Sequence, residues 1–91
     1  MAEWGTPAER QTRLRILVAT AAYAYEIAND PIMPDAQYDS MARQIDPSIP
    51  TGNETLDEFF EWEFSCHTGM WIHSHPELEG IRKRYERFYT L

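Results

Sequence analysis

The chain contains one cysteine, Cys66, and one lysine, Lys83, among its 91 residues. A single cysteine excludes an internal disulfide and is typical of a reducing compartment, so we predict a cytoplasmic protein. No uninterrupted apolar run approaches the roughly 18 residues that a membrane span requires, so no membrane association is predicted. The length is enough for a single small domain over residues 1–91.

Positive charge is also scarce. Eight Lys and Arg residues stand against fifteen Asp and Glu residues, which gives a formal net charge of −7. Such a protein is not attracted to a phosphate backbone, so we expect no direct binding to nucleic acid. The negative charge is densest in one short segment that contains Glu54, Asp57, Glu58, Glu61 and Glu63.

Helical periodicity of the apolar residues runs through most of the chain, interrupted by proline and glycine. The pattern predicts an all-α fold with a loose N-terminus over residues 1–6, a helix-loop-helix unit over 7–46 and a C-terminal helical part over 47–91. The predicted helices are 7–29, 36–45, 54–65 and 75–89.

Capping residues support these helix starts. Thr6, Pro7 and Glu9 have the spacing of a capping box with proline at the first helical position. The other predicted N-caps are Asp35 for the second helix, Asn53 or Thr51 for the third, and Ser74 or His75 for the fourth.

Residues 14–46 read LRILVATAAYAYEIANDPIMPDAQYDSMARQID. This stretch, about a third of the chain, resembles the N-terminal helical subdomain of the bacterial NAD-dependent DNA ligases, in which a tyrosine-rich helix precedes Asp-x-Pro-x-I-x-D-x-x-Tyr-Asp and a second helix. Pro31, Asp35, Tyr38 and Asp39 match that pattern, and Asp30 stands one place later than usual.

The resemblance implies a site for the nicotinamide-ribose-phosphate half of NAD. Tyr25 would face the nicotinamide ring, since a cationic ring suits an aromatic face. Asp35 and Asp39 would accept hydrogen bonds from the ribose or the carboxamide, and Tyr38 would stack or donate its hydroxyl. Glu26 belongs to the same set, although the family usually has a histidine there. A simpler interpretation of the same residues is helix packing, an N-cap and a solvated helix surface.

Ligase chemistry itself is not expected. It needs a nucleophilic lysine in a Lys-x-Asp-Gly setting, whereas Lys83 lies in the sequence RKRY. The adenylation domain that carries this lysine in the family has no counterpart in the 91 residues. We therefore predict a protein that is not an enzyme.

A short segment rich in metal-binding side chains follows the third predicted helix. Cys66, His67, His73 and His75 are residue types that zinc prefers, and four ligands would complete a tetrahedral site. Their spacing matches no familiar zinc motif. The alternative is a set of histidines at helix ends and turns, with one thiol.

The acidic segment suggests a surface for protein partners. Trp62 lies outside the apolar stripe of the third predicted helix, next to Asp57, Glu58 and Glu61, and an exposed tryptophan among acids is a plausible anchor for a basic protein. Trp71 and the stripe from Leu78 to Phe88 are predicted to mediate a homodimer.

Three hypotheses for the function follow from these patterns. The first is a small acidic interaction protein, of the type by which a phage or mobile element regulates or inhibits a host protein. The second is a nucleotide-binding module for NAD, nicotinamide mononucleotide or a related signal. The third is a small zinc-binding domain.

Overall fold

The computed structural model describes residues 5–89 and confirms an all-α fold. Four α-helices and one short 3₁₀ helix occur in this range, and no residue in it is part of a β-strand. Of the predicted loose N-terminus, residues 1–4 lie outside the described residues. The elements are α1 (Pro7–Glu26), α2 (Asp35–Arg43), α3 (Glu54–Trp62), the 3₁₀ helix (Met70–Ser74) and α4 (Leu78–Tyr89). Between residues 5 and 89, every helix is too short or too polar to cross a bilayer.

The start of α1 confirms the predicted capping box. The Thr6 hydroxyl accepts a hydrogen bond from the Glu9 amide at 3.1 Å, and the Glu9 carboxylate accepts one from the Thr6 amide at 2.7 Å. Two amides without helical partners are thereby satisfied. These bonds also lower the pKa of Glu9.

Helix α1 is the central element of the fold. Seven consecutive residues, 18–24, are buried, so this part of the helix is covered on all sides rather than along one stripe. Five of the seven are Ala or Val, which allow close approach of neighbouring elements. The core around them contains Phe59 and Phe60 of α3, Trp71 and Ile72 of the 3₁₀ helix, and Ile81 and Tyr85 of α4.

Two predicted boundaries around the first loop are wrong. Helix α1 ends at Glu26 rather than at residue 29, because Asn29 adopts the left-handed conformation with φ 53°. Helix α2 begins at Asp35, so Asp35 is its first helical residue and not its N-cap. The N-cap is Pro34, whose carbonyl accepts a hydrogen bond from the Tyr38 amide at 3.1 Å.

The ends of α2 and α3 and the start of α4 also differ from prediction. Helix α2 stops at Arg43 and not at residue 45, since Ile45 turns into the core. Helix α3 stops at Trp62 and not at residue 65, and no basic residue in its last turn offsets the negative helix end. Asn53 is confirmed as its N-cap. Helix α4 begins at Leu78 and not at residue 75, because Pro76 disfavours helical backbone at the preceding residue.

A buried arginine of α1 binds the loop that connects α2 and α3. Arg15 is 4% exposed, and its guanidinium donates hydrogen bonds to the Asp57 carboxylate and to the carbonyls of Asp46 and Ile49 at 2.9–3.0 Å. The Thr51 hydroxyl and amide donate to the same Asp57 carboxylate. These donors hold the pKa of Asp57 below its ordinary value against the opposing effect of burial.

Candidate functional site

A cavity of about 260 Å³ opens between the end of α1, the start of α2 and the segment 67–69. All five residues that the ligase resemblance singled out line this cavity: Tyr25, Glu26, Asp35, Tyr38 and Asp39. Residues 67–69 complete the wall, with Pro31, Ile32 and Met33 of the connecting loop.

Helix geometry explains why the α2 residues act together. Asp35, Tyr38 and Asp39 are spaced by three and four positions, so their side chains share one face of α2. Tyr25 and Glu26 lie in the last turn of α1, and α1 and α2 are in contact with each other. Tyr25 is 54% exposed, so its ring is available to a ligand rather than used in the core.

Tyr38 connects α2 to the opposite wall. Its hydroxyl donates to the Thr68 carbonyl at 3.5 Å, and the same carbonyl accepts a shorter bond, 2.8 Å, from the Trp71 indole. Burial is the main cause that raises the pKa of Tyr38 to about 12. The phenol is therefore protonated at neutral pH and remains a hydrogen-bond donor.

Segment 67–69 lies close to α1 because of Gly69. A Cβ atom there would lie 3.2 Å from Cγ of Glu26 and 3.7 Å from Cβ of Ala22. The sequence pattern did not indicate that this segment lines the same cavity as the tyrosines. His67, which the pattern grouped with possible zinc ligands, lies in this wall.

The cavity wall is negative. Glu26, Asp35 and Asp39 contribute three carboxylates, and no lysine or arginine of residues 5–89 lines it. Such a wall favours a ligand that carries positive charge, hydroxyl groups or amide donors. The two tyrosine rings supply the aromatic surface that a flat cation prefers.

The four candidate zinc ligands do not converge. Within residues 5–89 no three Cys, His, Asp or Glu side chains are placed to hold a metal ion. His75 is separated from the set by burial, since its ring packs 5.1 Å from that of Phe59 and 6.2 Å from that of Phe60. His67 and His73 are exposed, and Cys66 is half-buried with a free thiol.

Burial also determines the charge of His75. Desolvation lowers its pKa from 6.5 to about 4, so the ring is neutral at pH 7. Its Nδ1 accepts a hydrogen bond from the Glu77 amide at 2.9 Å. The proton of the neutral ring is therefore on Nε2.

The acidic surface is smaller than predicted. Trp62 is 75% exposed, and Glu58 and Glu61 are exposed near it on α3. The assignment of Asp57 to this surface is wrong, because its carboxylate is half-buried and bound by Arg15. The placement of Trp71 on a self-association surface is wrong for a similar reason. Trp71 is 5% exposed and packs against three phenylalanine rings.

No family model, curated protein or solved structure matches the chain. The similarity to the ligase subdomain therefore remains one of short motifs. Any argument about function depends on the cavity and the surfaces of this chain.

Proposed function

We propose that the cavity beside Tyr25 and Tyr38 binds the nicotinamide-ribose part of a pyridine nucleotide. The observation that carries the proposal is the convergence of five residues from two helices on one cavity. Tyr25, Asp35 and Asp39 are exposed, so their side chains are open to a ligand at this cavity.

The chemistry of the wall supports this ligand class. The oxidised nicotinamide ring is a flat cation, which an aromatic face attracts by about 0.5–2 kcal/mol. Ribose hydroxyls and the carboxamide are donors that Asp35 and Asp39 can accept. The protonated Tyr38 hydroxyl can donate to a carbonyl or hydroxyl oxygen.

Affinity should be low. The cavity of about 260 Å³ is smaller than the roughly 300–1,000 Å³ typical of ligand sites. We expect a dissociation constant on the order of 0.1–1 mM for nicotinamide mononucleotide and for NAD by isothermal titration calorimetry. The reduced form, NADH, should bind about tenfold more weakly, because its ring is neutral.

Two substitutions distinguish a loss of ligand binding from a loss of stability. Tyr25→Ala should abolish the heat of binding without loss of stability, since the side chain is mostly exposed. Tyr89→Ala is the matched control, because it removes a part-exposed tyrosine that lies outside the cavity. Equal binding by wild type and Tyr25→Ala, or no heat at millimolar ligand, would exclude this function.

A second function, recognition of a basic protein, is favoured by the exposure of Trp62. Its side chain is 75% exposed beside Glu58 and Glu61. Tryptophan is enriched among residues that dominate binding energy, and flanking carboxylates attract a positively charged surface. A regulator or inhibitor of a host protein, of phage or mobile-element type, would use this surface.

The test compares the amounts of protein that the wild type and its variants capture. Trp62→Ala should weaken capture of a specific basic protein more than tenfold, a factor of ten being about 1.4 kcal/mol. The melting temperature should not change. Glu58→Lys combined with Glu61→Lys should mainly slow association. A loss of folding in Trp62→Ala would contradict its assignment to the surface.

A further inference from the structure

A second and larger cavity lies on another side of the molecule. It is a groove of about 550 Å³ between the N-terminal half of α1, helix α3 and helix α4. Its apolar wall is formed by Ile16, Leu56, Phe60 and Ile81. No residue that lines the first cavity lines this groove, so the groove is independent of the proposed nucleotide site.

The groove contains a hydrogen-bond donor without a protein acceptor, on a ring that is mostly buried. His75 lines it and is 8% exposed. Its Nδ1 is bound to the Glu77 amide, so Nε2 carries the proton, and no residue of the described chain accepts a hydrogen bond from it. No fully enclosed side-chain nitrogen in residues 5–89 lacks a partner. The Nε2 atom is therefore not fully enclosed, and the cavity that His75 lines is this groove.

Gly80 is a second feature that packing does not explain. It lies inside α4, where alanine would be the better helix former. A Cβ atom at Gly80 would meet only the Glu77 carboxylate, at 4.0 Å. Because Gly80 lines the groove, its missing side chain widens the space available to a ligand.

The charges of the groove limit the ligand class. Arg84 and Glu77 line it with opposite charges, so neither an anion nor a cation is favoured by the groove as a whole. Arg15 also lines it, but that guanidinium is already bound to Asp57 and to backbone carbonyls. The His75 Nε2–H group is a donor on this wall that an uncharged acceptor can pair with, and Asn53 adds a second polar group to the lining.

We propose that this groove binds a small, uncharged, mainly apolar molecule that carries one carbonyl oxygen. The apolar body lies against Leu56, Phe60 and Ile81, and the carbonyl accepts a hydrogen bond from Nε2 of His75. Such a contact gives the donor on this mostly buried ring a partner in place of water, while the apolar body of the ligand removes the neighbouring hydrophobic wall from water.

The probe is acetophenone, titrated into the ¹⁵N-labelled protein at pH 7 and followed by NMR. Saturable shifts should be confined to the groove, with a dissociation constant on the order of 1 mM for a ligand of this size. The His75 Nε2–H signal should move downfield as its hydrogen bond forms. Benzoate and benzylammonium, which carry charge on a similar ring, should bind at least about fivefold more weakly.

Gly80→Ala distinguishes an effect on ligand binding from an effect on stability, because the two should change in opposite directions. It should raise the melting temperature by a few degrees, because alanine favours the helix. It should also weaken acetophenone about tenfold, because the new methyl group occupies the space of the ligand. Lys83→Gln, at an exposed position of the same helix outside the groove lining, should leave acetophenone binding unchanged.

Three outcomes would overturn the proposal. The first is the absence of saturable groove shifts at the solubility limit of acetophenone. The second is equal affinity in wild type and Gly80→Ala. The third is tighter binding of benzoate or benzylammonium than of acetophenone, which would assign the groove to a charged ligand.

Discussion

Acid should destabilise the protein through His75, and the size of the effect follows from its pKa. The pKa is about 4 in the folded state, against an ordinary value of 6.5. A lowered pKa means that the unfolded chain binds the proton more readily. The stability that His75 contributes is therefore complete above pH 6.5 and is lost as the pH falls toward 4.

The free energy of unfolding should fall by about 2 kcal/mol between pH 7 and pH 5, and by about 3 kcal/mol between pH 7 and pH 4, from this group alone. The cause is the packing of the ring against Phe59 and Phe60, where a charge is poorly solvated. Arg15 and Arg84 line the same groove and disfavour an imidazolium ion there, and Glu77 is the one carboxylate among the described lining residues.

Urea unfolding at pH 7, 6, 5 and 4 measures the effect when wild type is compared with His75→Asn. Asparagine has an oxygen that can accept the Glu77 amide, and it does not titrate. Carboxylates such as Asp57 contribute equally to both proteins, so their titration cancels in the difference. A difference between the two proteins that is constant from pH 7 to pH 4 would refute the burial argument for His75.

Three further perturbations test the structure. Arg15→Leu should lower the free energy of unfolding in urea by about 3 kcal/mol, because it leaves the Asp57 carboxylate without its cation. The exposed control Arg43→Leu should change the free energy of unfolding by less than about 0.5 kcal/mol. Equal losses in the two variants would contradict a stabilising role for the contact between Arg15 and Asp57. Chelator should leave the melting temperature unchanged, and about one bound zinc per chain with a lower melting temperature after chelation would contradict this. The predicted homodimer now depends on Phe88, which is 58% exposed, so Phe88→Ser should convert a dimer to a monomer in sedimentation velocity, and a monomeric wild type would contradict it.

Local chemistry explains which parts of the fold were predictable. The capping box at Thr6 and the Asn53 cap depend on residues three positions apart, so the sequence predicts them directly. Helix ends depend on tertiary contacts as well. Phe64, for example, leaves the helical path and packs its ring 4.9 Å from that of Trp71.

Long-range polar contacts were not predictable from the pattern. Arg15 and Asp57 are 42 positions apart; the sequence pattern places Asp57 on the acidic surface and assigns no role to Arg15. Tyr85 of α4 donates a 2.6 Å hydrogen bond to Asp30, which the sequence indicates only as a displaced residue of the ligase-like motif. In both cases a charged side chain connects elements that are distant in sequence.

One wall of the candidate cavity was predictable from the sequence, and the opposite wall was not. Asp35, Tyr38 and Asp39 share a face of one short helix, so their spacing was enough to group them. The opposite wall, residues 67–69, reaches the cavity only because Gly69 allows it to approach Glu26. That contact joins parts of the chain more than 40 positions apart, and no short motif contains it.

Helix α1 forms a wall of both cavities, and this arrangement permits a decisive cross-test. Ala21 and Tyr25 line the first cavity, whereas Thr12 and Ile16 line the second, so the two sites use different ends and faces of one rigid helix. Tyr25→Ala should abolish nucleotide binding and leave acetophenone binding intact, and Gly80→Ala should do the reverse. If either variant weakens both ligands, the two sites are coupled through α1, and the independent binding inferred from their separate linings is wrong.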